Sequence, residues 1–136
     1  MWRIPRLAVG TVQSSARCQP LYWGLLTVLS QAGVGMQTFG SRASFASHDA
    51  SRSLTGRPRR YLDSWVMDEE QTAAAFQRGM SDCHLGLIEG SFAAALNSPD
   101  FGGSLDLVCD RLNCPRIAAL DLSLMDGCRI PARPEH

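Results

Sequence analysis

The chain has 136 residues, of which 45% are hydrophobic and 19% are charged, and 13 basic residues balance 13 acidic ones. This length limits the chain to one domain, and the hydrophobic content is too high for a chain that is disordered throughout. No run of 18 consecutive apolar residues occurs, so the sequence predicts no stable transmembrane segment.

The net charge of zero hides an uneven distribution of charge along the chain. Residues 1–60 hold eight Arg and one acidic residue, Asp49, whereas residues 61–136 hold five Arg and twelve acidic residues. Such asymmetry is typical of two segments under different constraints. The Arg-rich run 52–60 has no interleaved aromatic residue, and the acidic second half would repel a polyanion. Nucleic acid is therefore not expected as a partner.

The first third of the chain has the composition of a targeting sequence. Residues 1–46 contain Arg and many Ser, Thr and Gln but no acidic residue, which is typical of a mitochondrial presequence. A positive segment of this kind is drawn to anionic membrane surfaces and to a negative-inside potential. We therefore predict a mitochondrial leader over 1–46, with processing near Arg42, followed by a basic, Arg-rich linker over 47–62.

Secretion is the alternative localisation. Residues 21–29 form a short, mostly apolar stretch of signal-peptide size, followed by small residues. The sequence Arg57-Pro58-Arg59-Arg60 resembles a convertase site, and cutting after Arg60 would release a peptide 61–136. That peptide would carry four cysteines able to form disulfides: Cys83, Cys109, Cys114 and Cys128. A basic tail without a targeting role, or a translated product without a selected function, also remains open.

A first helix is predicted over 68–78. Asp68 is a suitable N-cap and Gln71 follows three residues later, which forms a variant of the capping box. Acidic residues crowd the first turn, where the helix dipole favours them. Arg78 suits the last turn, and Gly79 suits the position after it.

A second helix is predicted over 82–96, because apolar residues recur there at helical spacing and Pro99 follows. Glu89, within it, is expected to face solvent. Small residues spaced four apart would let another helix approach closely. The resulting face is the predicted interaction surface for a protein partner: Leu85, Gly86, Ile88, Gly90, Phe92 and Ala94. On this interpretation, replacing Gly90 with Leu weakens a partner complex without unfolding the chain.

A third helix is predicted over 104–113, ended by Pro115. Residues 120–124 alternate apolar and polar side chains, so we expect a short strand within 117–125. The predicted fold is therefore mostly α: a small helical module of two to three helices over 63–128, preceded by a disordered basic leader. Residues 129–136, with two prolines, are predicted to be a disordered tail.

No chemical motif points to an enzyme. The sequence lacks a phosphate-binding loop, a dinucleotide-binding glycine motif, a nucleophile elbow and a zinc-protease motif. The cysteine spacing does not match that of a zinc site, so no metal or cofactor is expected. Cys83 and His84 would point about 100° apart on a helix and could not act together. The expected function is that of an imported helical interaction or assembly protein without catalytic activity.

Overall fold

The computed structural model describes residues 3–13, 18–43, 50–93 and 103–124, and these form a parallel β-sheet with helices on both faces. Strands and helices alternate along the chain. The strands are β1 (Arg6–Thr11), β2 (Met36–Gly40), β3 (Arg60–Tyr61), β4 (Leu85–Ser91) and β5 (Arg116–Ala119). The helices are α1 (Gln19–Gln31), α2 (Ala50–Thr55), α3 (Glu69–Gly79) and α4 (Leu105–Leu112).

The strand order in the sheet is β3-β2-β4-β1-β5. Arg6 of β1 is paired with Gly86 of β4, and Ala8 is paired with Arg116 of β5. β1, the first strand in the chain, therefore lies inside the sheet, between two strands from the second half. β2 joins the other side of β4, where Met36 is paired with Leu85.

Helices α1 and α2 contact each other, as do α3 and α4. One apolar cluster lies on each face of the sheet. The α1 side buries Val9, Tyr22, Leu26, Met36 and Leu87. The α3 and α4 side buries a larger group that includes Ala8, Phe39, Phe76, Ile88, Leu105 and Leu112. The side chains of successive strand residues thus point alternately into the two apolar clusters, as expected for a doubly wound α/β fold.

The mostly α fold predicted from the sequence is wrong, because the chain contains this five-stranded parallel sheet. The second helix, predicted over 82–96, is replaced by β4 at Leu85–Ser91. A parallel strand is buried on both faces, so it reads as a continuous apolar run without period-two alternation. The segment Leu85-Gly86-Leu87-Ile88 is such a run, and its spacing also fits one helix face.

The first predicted helix is confirmed as α3, Glu69–Gly79. The Asp68 side chain accepts a hydrogen bond from the backbone N–H of Gln71 at 2.8 Å, and the Gln71 side chain accepts one from the backbone N–H of Asp68 at 3.0 Å. Both halves of the capping box are therefore formed. The helix starts where the sequence places it because this signal is entirely local.

We expect Asp68→Ala to lower the free energy of unfolding by about 1 kcal/mol, since it removes the acceptor for one otherwise unsatisfied N–H. Urea unfolding followed by circular dichroism measures this difference. Asp68→Asn is the matched control, because Asn retains a side-chain oxygen and caps almost as well. Equal destabilisation by Ala and Asn would show that the carboxylate charge, rather than the cap, stabilises α3.

The third predicted helix is confirmed as α4, Leu105–Leu112, with Ser104 as its N-cap. A strand is present in the predicted region 117–125, but it is formed by Arg116–Ala119 and not by the alternating residues 120–124. The strand β5 ends at Ala119, and Leu122–Leu124 form a single turn of 3₁₀ helix. Asp121 holds that turn, because its carboxylate accepts from the backbone N–H and the hydroxyl of Ser123 at 3.0 and 2.6 Å. A local side-chain hydrogen bond therefore competes with extension of the strand.

The region predicted as a leader contributes two strands of the sheet, β1 and β2, and the helix α1 between them. Val9 and Ala8 of β1 and Phe39 of β2 are fully buried. The segment 1–46, which has no acidic residue, thus includes an interior strand of the sheet. Among the described residues, none of the helices has the length and apolar character needed to cross a bilayer.

Candidate ligand-binding site

The carboxyl ends of all five strands lie at one edge of the sheet, because the strands are parallel. β1 and β4 are neighbours there, yet the chain leaves β1 for α1 on one face and β4 for α4 on the other. A crevice opens where neighbouring strands send their helices to opposite faces, and open α/β sheets bind ligands at such a switch point. The side chains at this edge are therefore the candidates for a binding site.

An ion pair between Arg59 and Glu89 dominates this edge. Glu89 stands near the end of the central strand β4, and its Oε2 accepts from Arg59 Nη1 at 2.6 Å. The Glu89 side chain is 11% exposed and that of Arg59 is 25% exposed. Both ions have lost most of their water. Removing charges from water costs several kcal/mol per ion, so the pair is weak evidence for a purely stabilising role.

Arg59 reaches Glu89 by lying over a glycine. Gly40, the last residue of β2, is paired with Glu89 in the register of the sheet. A Cβ atom at position 40 would lie 2.8 Å from Arg59 Nη2 and 3.0 Å from Arg59 Nε. The Arg59 guanidinium also lies over the ring of Tyr61, with its Cζ 5.9 Å from the ring centroid. The missing side chain at Gly40 thus leaves the space that the guanidinium occupies.

Cys18 brings α1 to the same site. It occupies the N-cap position of α1 and provides no side-chain cap. Burial and the neighbouring Glu89 carboxylate raise the pKa of the Cys18 thiol, whereas Arg59 acts in the opposite direction. The thiol therefore remains protonated at neutral pH and is a poor nucleophile. The ion pair, the thiol and the first turn of α1 lie together at the switch point.

Hydrogen bonds hold the loops around the site in place. The Gln13 side chain donates to Asp121 O at 3.1 Å and accepts from the backbone N–H of Asp121 at 2.6 Å, which ties the exit of β1 to the exit of β5. The Asp63 carboxylate accepts from the backbone N–H groups of Ala43 and Trp65 at 2.8 and 3.0 Å. Asp63 thereby joins the segments that follow β2 and β3, so the edge is preorganised.

The predicted interaction face does not form a helical surface. Leu85, Gly86, Ile88 and Gly90 belong to β4, and Phe92 follows it. Ile88 is fully buried and Phe92 is 5% exposed, both against the α3 and α4 layer. Ala94 lies outside the described residues. The small residues Gly86 and Gly90 do allow close packing, but of helices α3 and α4 and the end of β2 within the same chain.

The two predicted processing residues lie at the ends of strands. Arg42 is exposed just after β2, and Arg60 is exposed within β3, where it is paired with Phe39. The rest of the convertase-like sequence is held by contacts. Arg57 donates to the carbonyl groups of Ser81 and Asp82 at 2.9 and 3.3 Å, and Pro58 O accepts from the Gln37 amide at 2.9 Å.

The cysteines proposed for disulfides are spread over the fold. Cys83 follows α3 and is half-buried, whereas Cys109 in α4 and Cys114 before β5 are buried and close together. All three are free thiols, and Cys128 lies outside the described residues. His84 accepts from the backbone N–H of Gly35 at 3.0 Å, at the amino edge of the sheet. It therefore lies at the opposite edge from Cys18.

The carboxyl edge combines an ion pair with a protonated thiol. Within the described part of the chain, no three His, Cys, Asp or Glu side chains form a metal site. In the sequence, Ser15-Ala16-Arg17 after Gly10 stands where a phosphate loop has Gly-Lys-Ser/Thr, so that motif is absent. Arg59 and Glu89 supply one charge of each sign, and both act on the protonated thiol of Cys18.

Neither Glu89 nor Arg59 is predicted from the sequence as a site residue, because the first is expected on a solvent-facing helix face and the second in a linker. A signal for Glu89 is nevertheless present: a short apolar run, Leu85 to Ile88, ends in a carboxylate. Parallel strands commonly present functional side chains at that end. Comparison with known protein families, with curated proteins and with solved structures found no significant match.

Proposed function

We propose that this chain is a small α/β binding domain that holds a phosphorylated polar metabolite, such as a nucleotide or a sugar phosphate, at the carboxyl edge of its sheet. The observation that supports it is the buried Arg59–Glu89 pair at the switch point between β1 and β4. A charged pair that costs desolvation energy at the end of a central strand suits a site that must recognise a polar molecule.

The two charges suit the two halves of such a ligand. The Arg59 guanidinium is a planar donor that can share a phosphate between its N–H groups. Glu89 is bonded to Arg59 through Oε2, and the described residues offer its Oε1 no hydrogen-bond donor. Hydroxyl groups of a ribose or another sugar could donate there. The fold class supports the nucleotide class only by analogy, because many functions share such sheets.

Ligand-induced thermal stabilisation of the full chain tests the proposal. We expect at least one compound among inorganic phosphate, ribose 5-phosphate, AMP, ADP and NAD to raise the melting temperature in a dose-dependent way. Arg59→Gln should weaken that binding by about 10- to 100-fold, because a hydrogen bond to a charged group is worth about 1.5–3 kcal/mol. Calorimetric titration measures the dissociation constants.

The control variant for charge removal is Asp110→Asn, which breaks the exposed Arg116–Asp110 pair at the other end of the sheet. It should leave the dissociation constant unchanged. The proposal fails if none of the five compounds stabilises the wild type at millimolar concentration. It also fails if a compound binds equally well to folded Arg59→Gln and to the wild type.

An imported interaction or assembly protein remains the second candidate. The observation that favours it is a group of exposed apolar side chains beside the edge strand β5, namely Leu120, Leu122 and Leu124. This surface replaces the helical face expected from the sequence. Organelle import and secretion both remain predictions, and the N-terminal residue and intact mass of the protein from cells distinguish them. A start after the Arg42 region supports import, and a start at Tyr61 supports secretion.

A further inference from the structure

The end of α4 places two cysteines in contact. Asn113 has a left-handed backbone conformation, with φ of 47°. The backbone N–H of Cys114 donates to Cys109 O at 2.9 Å, and that of Asn113 donates to Asp110 O at 3.3 Å. These two bonds define a Schellman motif, in which the side chains of the first and sixth residues contact each other. Here those residues are Cys109 and Cys114.

Charges of both signs surround this pair. Arg116, the first residue of β5, acts on the Cys109 sulfur although it is ion-paired with Asp110, the Asp106 carboxylate opposes it, and Arg6 acts on Cys114. Hydrogen bonding from the Cys114 thiol, and then from Arg116, lowers the pKa of Cys109 in spite of its burial. The same bond and burial raise the pKa of Cys114. One sulfur is thus favoured as the thiolate and the other as the proton donor.

We propose that Cys109 and Cys114 form a peroxide-sensitive dithiol site, which oxidises to an intramolecular disulfide that links the end of α4 to the start of β5. The site lies at the amino edge of the sheet, where Pro115 O accepts from the backbone N–H of Ala8 at 2.9 Å. It is therefore separate from the Arg59–Glu89 site and does not depend on the proposed function.

The oxidation balances with hydrogen peroxide as the oxidant. The Cys109 thiolate attacks one peroxide oxygen, so that an S–O bond forms, the O–O bond breaks and the departing hydroxide takes a proton to become water. The Cys114 sulfur then attacks the Cys109 sulfur. The S–S bond forms, the S–O bond breaks, and the second hydroxide leaves as water with the Cys114 proton. Two electrons pass from the two sulfurs to one peroxide molecule.

Hydrogen peroxide is small enough to approach the site beside Cys114. An open hollow lined by Arg6, Asn113 and Pro115 borders the segment that holds it. Cys114 is 7% exposed and Cys109 is 1% exposed. A small neutral molecule can therefore approach where a bulky disulfide reagent would be excluded.

Peptide mapping of the full chain tests this site. The reduced protein is treated with hydrogen peroxide, blocked with an alkylating reagent and digested with trypsin. Cleavage at Arg78, Arg111 and Arg116 separates the two cysteines into peptides 79–111 and 112–116. We expect a disulfide-linked pair of these peptides, with Cys109 identified by fragmentation. A bond from Cys114 to Cys83 would overturn the proposal, as would free Cys114 under conditions that oxidise Cys18 or Cys83.

Three variants assign the roles. Cys83→Ser should still form the linked peptides. Cys114→Ser should leave Cys109 as a sulfenic acid, which dimedone captures when the peroxide-treated protein is unfolded, and Cys109 that stays a thiol in peroxide-treated, folded Cys114→Ser would overturn the assigned order of attack. Arg116→Gln should slow the oxidation of Cys109 by peroxide and raise the pH midpoint of that oxidation, whereas a merely structural arginine would move neither. The wild-type linkage decides the proposal even where a variant does not fold.

Discussion

A fragment that starts at residue 47 should not fold. Removing residues 1–46 deletes β1, α1 and β2, and β1 lies between β4 and β5. The remaining strands would lose their shared neighbour, and one layer of the core would lose Val9, Tyr22, Leu26 and Met36. We expect the fragment 47–136 to show no cooperative thermal transition by circular dichroism, because the loss exceeds the 5–15 kcal/mol that stabilises a typical domain.

Arg42→Ala in the full chain is the control, since Arg42 is exposed and its removal takes no element from the sheet. This variant should unfold like the wild type. A cooperative transition of the fragment at a similar temperature would contradict the expectation. The result also bears on import. If processing near Arg42 does occur in cells, the mature protein must adopt a fold other than the sheet described above.

Gly90→Leu should destabilise the fold by about 3 kcal/mol, at the upper end of the cost of overpacking. A Cβ atom at position 90 would lie 2.9 Å from Ser41 Cβ and 3.4 Å from Leu105 Cβ. Ser41 cannot move aside easily, because its backbone N–H donates to Glu89 O at 2.9 Å. This expectation reverses the one drawn from a helical surface, on which the same substitution leaves folding intact. Chemical denaturation measures the difference.

Gly24→Leu is the matched control for this substitution. Gly24 is exposed on α1, and a Cβ atom there meets no neighbour within 4 Å. The same change should therefore stabilise the helix slightly, by up to about 1 kcal/mol, because Leu forms helices better than Gly. If both variants lose similar stability, the cost arises from the exposed Leu side chain and not from packing between β4 and its neighbours.

The sequence predicts the elements whose signals are local. Asp68 and Gln71, which interact within one turn, predict the start of α3. Ser104 predicts the start of α4, and Pro115 prevents the helix from continuing. The strands are different, because a parallel strand is stabilised by partners far along the chain. Arg6 is paired with Gly86, and no feature near either residue specifies the other.

The candidate site was not predictable for the same reason. Arg59 and Glu89 are thirty residues apart, and only the placement of β4 beside β2 brings them together. Considered locally, Glu89 fits the polar side of a helix and Arg59 fits a basic linker. The charge asymmetry between the two halves is visible in the sequence. Its consequence, a basic residue of the first half paired with an acidic residue of the second, follows only from the strand order.

The strand order also bears on how the protein is made. β1 is the first strand of the sheet to be synthesised, but both of its neighbours come from the second half of the chain. At about 5–20 residues per second, roughly 5 to 20 seconds separate the synthesis of β1 from that of β5. During that interval an apolar strand has neither edge covered, and pairing of this range is slow. We therefore expect the sheet to be completed only after β5 has left the ribosome, and a dependence on chaperones that hold the nascent first half.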